Sequence, residues 1–348
     1  MKAITVEPHR PGSARLEDVQ EPDLRDGSVL VEAIAVGVCG TDVEIVEGKY
    51  GWSPPGADRL VLGHESLGRV IDPGPAGALA VGDLVVGIVR RPDPVPCPNC
   101  AVGEWDMCRN GRYTERGIKE IHGFMSERWR IEPEYAMKVN PSLGLLGVLL
   151  EPTTVVTKAW EQVVAVGQRA FWEPRNVLVT GAGPIGLLAA LLGKQRGLDV
   201  HVLDRMTTGS KPELVRQLGA TYHSCPVGEI GFEPDIVVEC TGVGAVIADA
   251  LRFAAAGGII CLTGVGTGGQ GAGKVADTAA AVVLKNNVIV GSVNANKRHW
   301  YKAGEALARA DVSWLKKLVT RCERPEDFMR ALARQPDDIK VVIQFGNA

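Results

Sequence analysis

The sequence predicts an α/β protein in which a domain of short strands, barrel-like, is followed by a doubly wound parallel sheet. Two patterns carry this. The first third of the chain is a series of short β-rich runs separated by Pro and Gly clusters such as Asp72-Pro73-Gly74-Pro75. From about Leu145 onward, strand and helix patterns alternate, as parallel strands with helical crossovers require. The length agrees, since 348 residues is a little over two domains at about 150 residues each.

In order, strands are expected at Ser28–Val36, Ser66–Ile71 and Asp83–Val89. The second region reads as strand Val177–Thr180, helix Ile185–Arg196, strand Asp199–Leu203 and helix Pro212–Leu218. Strand Asp235–Glu239, helix Val246–Ala255 and strand Gly258–Leu262 follow. Helices return after Arg298, and the chain closes on an apolar strand, Lys340–Gln344. The domains are therefore expected at 1–155 and 156–297, with 298–348 returning to the first.

Apolar residues make up 45% and charged residues 23%, in the range of a globular protein. Net charge is 38 − 41 = −3, without the basic excess of a nucleic-acid binder. The start, Met1-Lys2-Ala3-Ile4-Thr5-Val6, has no apolar signal core. The charge-free run Asn176–Gly193 is broken by Thr180, Gly181, Gly183, Pro184 and Gly186, so a buried strand-turn-helix is expected there and not a membrane span. A cytoplasmic protein is expected, whose eight cysteines serve metal binding more readily than disulfides.

Gly181-Ala182-Gly183-Pro184-Ile185-Gly186 fits G-x-G-x-x-G, follows an apolar strand and opens an apolar helix. Asp204 ends the next strand, at about the twenty-residue spacing of the dinucleotide fingerprint. The glycines make the turn, admit the pyrophosphate and let helix and strand pack, while the helix N-terminus offers free N–H groups to phosphate. Asp204 suits the ribose 2′-hydroxyl and favours NAD; Arg205 beside it suits the 2′-phosphate of NADP. Thr241 and Gly242, then Thr263, Gly264 and Val265, follow later strands, where ligands of doubly wound sheets lie. With Val293 and Asn294 they are expected to border the nicotinamide.

Cys39-Gly40-Thr41-Asp42, Gly63-His64-Glu65 and Glu151-Pro152 supply thiolate, imidazole and carboxylate, the ligand types zinc prefers. Spacing alone leaves simpler roles open: a small buried thiol for Cys39, a core histidine for His64 and surface carboxylates for Glu65 and Glu151. Cys97, Cys100 and Cys108 have the spacing C-x2-C-x7-C in a loop.

These motifs occur in the order seen in zinc-dependent medium-chain dehydrogenases, and the chain resembles that family over essentially its whole length. A narrower resemblance, to the glucose 1-dehydrogenase branch, is carried by Met107-Cys108 through Ile118, His122-Gly123, Glu151–Ala159 and Gly291–Asn296. The resemblance implies a GroES-like catalytic domain, a Rossmann domain, and catalytic zinc on Cys39 and His64, with Glu65 and Glu151 as direct or water-bridged ligands. Thr41 would relay the hydroxyl proton, and Glu115, Glu151 and Asn294 would contact the sugar. The family's structural zinc lobe has four cysteines; Cys97, Cys100 and Cys108 match the last three, and the first falls near Pro94. Asp93 or Asp106 could complete the set, or packing alone could hold the lobe. Some sugar-binding relatives carry an acid four positions after the Glu151 equivalent, where this chain has Val155.

The expected activity is oxidation of an aldose C1 hydroxyl, D-glucose to gluconolactone, with hydride passing to NAD or NADP; the alternative is a polyol or secondary-alcohol dehydrogenase using the same zinc. The expected assembly is a homodimer or homotetramer, with the strand near Val288-Ile289-Val290 as its edge, and neither nucleic acid nor membrane is an expected partner.

Overall fold

The computed structural model describes residues 1–265 and 275–347. The chain divides into two units, Met1–Glu151 with Ala295–Ala348, and Pro152–Asn294. The changes of unit, expected at 155/156 and 297/298, fall at 151/152 and 294/295. Helix Leu150–Gly167 runs unbroken through residue 155, so the chain changes unit in its first turn.

The first unit is built on strand Val29–Val38. One neighbour is Glu65–Asp72, antiparallel, and the other is Lys340–Gln344, also antiparallel. Arg128–Ile131 pairs with its first half. The final strand thus sits between Val29–Val38 and Val319–Glu323 inside the sheet. In this register Gly37 pairs with Glu65, and Val38 pairs with Val341. Cys39, Glu65 and Lys340 are therefore brought to one rim of three adjacent strands.

The second unit is a six-stranded parallel sheet. Its order is Thr221–His223, Asp199–Leu203, Asn176–Thr180, Ile236–Glu239, Ile259–Leu262, Val288–Gly291. Strand order reverses between Asn176–Thr180 and Ile236–Glu239, the topological switch point of a doubly wound fold. Val177, Leu178 and Val179 are all fully buried, as both-face coverage of a parallel strand demands. Leu178, Val237 and Ile260 anchor one core cluster with Ala250 of helix Gly244–Phe253 and with Ala254, its C-cap residue. Among the described residues no helix is long and apolar enough to cross a membrane.

Candidate active site

Cys39 follows Val29–Val38 and is the N-cap residue of the short helix Gly40–Val46. The sequence pattern does not mark this helix; it places Thr41 in the first turn. The Cys39 N–H donates to Asp42 Oδ2 at 2.8 Å, and Thr41 Oγ1 lies 4.0 Å from Cys39 Sγ. Glu65 opens strand Glu65–Asp72 and His64 immediately precedes it, both buried. The donor atoms of Cys39, His64 and Glu65 all lie within 4.8 Å of one another.

Two further residues shape this cluster, and sequence reasoning missed both. Asp42 is wholly buried, with Oδ1 3.4 Å from His64 Nδ1. This close approach of Asp42 to Nδ1 orients the ring and leaves Nε2 for other work. Burial opposes a charge on His64, but Asp42 and Cys39 overcome it and hold its pKa well above the ordinary value. Lys340 is 1% exposed; its ammonium donates to both Glu65 oxygens, at 2.7 and 2.5 Å, and to the Val38 carbonyl at 3.1 Å. The charged start of an otherwise apolar final strand was the one sequence signal for it. Gly37 permits this arrangement, since a Cβ there would stand 2.1 Å from Glu65 Oε2.

Glu151 opens helix Leu150–Gly167 and is half-buried. It is not part of the three-residue donor cluster. Burial pushes its carboxyl up to about 7, helped by Glu65 and Asp42 and opposed by His64 and Lys340, so it lies within the electrostatic reach of the cluster. The donor set of one thiol, one imidazole and one carboxylate, with a carboxylate behind the imidazole, fits a catalytic zinc ion that keeps a position for substrate.

Glu115 is buried and pairs with Arg90 at 3.0 Å. Arg90 and Glu115 face each other across an antiparallel strand pair. Cys97, Cys100 and Cys108 come together, their sulfurs within 4.8 Å of one another. The Arg109 N–H reaches Cys97 Sγ at 3.4 Å and holds that thiol down at about 6, while burial pushes Cys100 up to about 11.

In the second unit, Gly183 is the N-cap residue of helix Pro184–Gln195, and no side chain caps that N-terminus. Gly181 has φ +91°, and a Cβ on Gly186 would stand 1.8 Å from the Gly181 carbonyl oxygen. Asp204 accepts the Ala182 N–H at 2.7 Å and the Met206 N–H at 3.1 Å, so its carboxylate lies against the glycine turn. Arg205 is exposed. A loop of small residues under an uncapped helix, with a carboxylate at the next strand end, fits a dinucleotide.

At the switch point sits Glu239, fully buried. Its carboxylate accepts from Thr241 N at 2.8 Å, Gly242 N at 3.1 Å, Thr180 Oγ1 at 3.1 Å and the Thr241 hydroxyl. Thr263 donates N–H and hydroxyl to the Glu239 carbonyl, and the Gly264 N–H joins them. Val265 is 80% exposed. Lys158, also missed, donates to the Val293 carbonyl at 2.9 Å. Asn294 follows with φ +59°, a left-handed conformation that Asn tolerates better than most residues. His299 is buried and accepts the Asn296 N–H at 3.1 Å as part of a helix cap.

A zinc-type donor cluster in one unit and a dinucleotide turn in the other define a metal-dependent dehydrogenase of the medium-chain class. Residues 25–141 match the alcohol dehydrogenase GroES-like domain, and residues 144–345 match the glucose dehydrogenase C-terminus. The chain is 42% identical to glucose 1-dehydrogenase 2 of Vulcanisaeta moutnovskia and 40% identical to glucose 1-dehydrogenase 1 of Caldivirga maquilingensis, covering 99% of each chain. Its fold superimposes on that of Haloferax mediterranei glucose dehydrogenase, solved in complex with NADP, Zn and gluconolactone, with a TM-score of 0.91, 31% identity and full coverage of both chains. The chain belongs to the glucose dehydrogenase family of zinc-dependent medium-chain dehydrogenases.

Proposed function

We propose that this chain oxidises the C1 hydroxyl of D-glucose to gluconolactone, with the hydride passing to the nicotinamide of NAD or NADP. The observation that carries the reading is the convergence of Cys39, His64 and Glu65 in a chain of the glucose dehydrogenase family. Zinc held by these side chains, with Glu151 nearby, would supply Lewis acidity that lowers the pKa of a hydroxyl.

The protein's own groups do the rest. Asp42, beside His64 Nδ1, orients the ring, so that Nε2 would be the nitrogen that holds the ion. Lys340 forms a buried ion pair with Glu65, which holds that side chain at the rim of the sheet. The Thr41 hydroxyl, beside Cys39, takes the proton of the substrate hydroxyl at Oγ1 and passes it on. Glu115, Glu151 and Asn294 supply polar contacts to sugar hydroxyls that a dry pocket would strand. Glu239 braces the Thr241-Gly242 and Thr263-Gly264 segments, and Lys158 braces Val293, so that the backbone bordering the nicotinamide is held in place. Asp204 selects NAD through the ribose 2′-hydroxyl, and Arg205 gives NADP a secondary hold.

Assembly as a homodimer or homotetramer is part of this reading. Val288–Gly291 is the edge strand of the parallel sheet, and Ile289 on it is 44% exposed. An unpaired apolar edge is a natural pairing surface across a two-fold axis; light scattering of the wild type against Ile289→Lys tests it. Eight free thiols support a reducing, cytoplasmic setting.

The activity is tested by cofactor reduction on zinc-replete protein, crossing NAD and NADP with glucose, galactose, xylose and sorbitol. Aldose-dependent reduction is expected. Turnover of sorbitol without any aldose moves the chain to the polyol dehydrogenases, and no turnover with bound zinc overturns the substrate.

A further inference from the structure

Residues 204–206 carry Asp204 and Arg205, the two side chains that decide between NAD and NADP in the proposed function, and they lie outside any helix or strand. We infer that Tyr222 is a positioning residue for cofactor choice, its hydroxyl holding this segment so that Arg205 meets the 2′-phosphate of NADP. The inference rests on the reading of Asp204 and Arg205 given above.

Tyr222 is the middle residue of strand Thr221–His223 and stands opposite Val202 of the parallel strand Asp199–Leu203. That neighbour runs directly into Asp204, so the register sets the Tyr222 side chain beside the residues that follow. Its hydroxyl donates to the Met206 carbonyl and stands 3.4 Å from the Asp204 carbonyl. The residue is half-buried. Burial, reinforced by Asp204 and opposed by Arg216, pushes the hydroxyl up to about 12. The proton that makes the bond is therefore kept at neutral pH.

The two ends of the segment are held unequally. Asp204 has three bonds that do not involve Tyr222. Its N–H donates to the His223 carbonyl at 3.0 Å, and its carboxylate accepts the Ala182 N–H at 2.7 Å and the Met206 N–H at 3.1 Å. Met206 is tied by that N–H to Asp204 and by its carbonyl to Tyr222. Arg205, exposed, stands between these two residues in the chain. Loss of the hydroxyl would leave Asp204 fastened to the glycine turn but slacken the backbone that carries Arg205. A backbone already held spares part of the ordering cost of gripping a ligand. That saving falls to the 2′-phosphate, so it favours NADP.

The test is Tyr222→Phe in the full chain, which keeps the ring and removes one hydroxyl. Binding of NADPH and NADH is read by nicotinamide fluorescence, which needs no sugar turnover. The Kd for NADPH should rise by about three- to tenfold, the worth of one hydrogen bond, while the Kd for NADH and the Tm stay at wild type. Arg205→Ala alone should also raise the NADPH Kd. Adding Tyr222→Phe to it should change that Kd by less than about twofold, because the hydroxyl acts through the arginine. An equal change for both cofactors, including none, overturns the inference, as does full additivity of the two substitutions. A wild-type NADPH Kd in Arg205→Ala overturns the cofactor-contact reading of Arg205 first, and this inference with it.

Discussion

Lys340 Nζ lies between the two carboxylate oxygens of Glu65, at 2.5 and 2.7 Å, across 275 positions of chain. Both side chains are at most 2% exposed. Removing one member of such a pair leaves a buried charge alone, which costs about 3–5 kcal/mol. Lys340→Met should lower unfolding stability by about that amount in urea titration. Adding Glu65→Gln to it should restore most of the loss, because the orphaned charge is then gone. Equal stability of wild type and Lys340→Met would mean that water or a proton compensates Glu65 instead.

Cys39→Ala and His64→Ala should each abolish turnover and remove one zinc per chain, while NAD(P) binding by fluorescence titration keeps its affinity. The donor cluster is built within Met1–Glu151, whereas the glycine turn and Asp204 belong to Pro152–Asn294. Joint loss of zinc and cofactor affinity in a folded variant would contradict this division of labour.

Asp204→Ala should move the ratio of kcat/KM values for NAD and NADP towards NADP. The carboxylate stands against the glycine turn with Arg205 beside it, so its removal takes away the ribose acceptor and the repulsion of a 2′-phosphate together. An unchanged ratio would leave cofactor choice to residues elsewhere.

Gly186→Ala places a Cβ 1.8 Å from a main-chain carbonyl, which no side-chain rotation relieves. Forced overpacking of this kind costs about 1–3 kcal/mol. The variant should show that loss in thermal unfolding together with a weakened cofactor KM, since the displaced turn is the one that would meet the pyrophosphate. A wild-type KM and Tm would show that helix Pro184–Gln195 can shift without disturbing the turn.

Much of the parallel sheet was legible because strands buried on both faces are continuous apolar runs. Asn176–Thr180 and Ile259–Leu262 stand within a residue of their expected positions. The zinc-type donors were legible as ligand types in family order. Their surroundings were not. Asp42 lies on a short helix that carries no strong periodicity, and Lys340 reaches Glu65 only through the pairing of three strands distant in sequence. Glu239 read as the end of an apolar strand, and its role comes from a loop that folds back onto it. The partner of Glu115 was also hidden, since adjacent arginines are visible in sequence and Arg90 is brought in by strand pairing.

The split of the first unit around the second has a consequence for synthesis. Residues 152–294 are contiguous, so every partner in their sheet has been made before residue 295 is added. Strand Val29–Val38, in contrast, lacks the neighbour that covers one of its sides until Lys340–Gln344 emerges. Arg128–Ile131 covers its first half, but through that interval the backbone of its second half, from Ala35 to Val38, is an open edge, the kind of surface on which nascent chains aggregate. Glu65 has no cation facing it over the same period. The cluster of Cys39, His64 and Glu65 can reach its final charge balance only after Lys340–Gln344 has left the ribosome, so its completion waits on a strand about 275 positions downstream of Glu65.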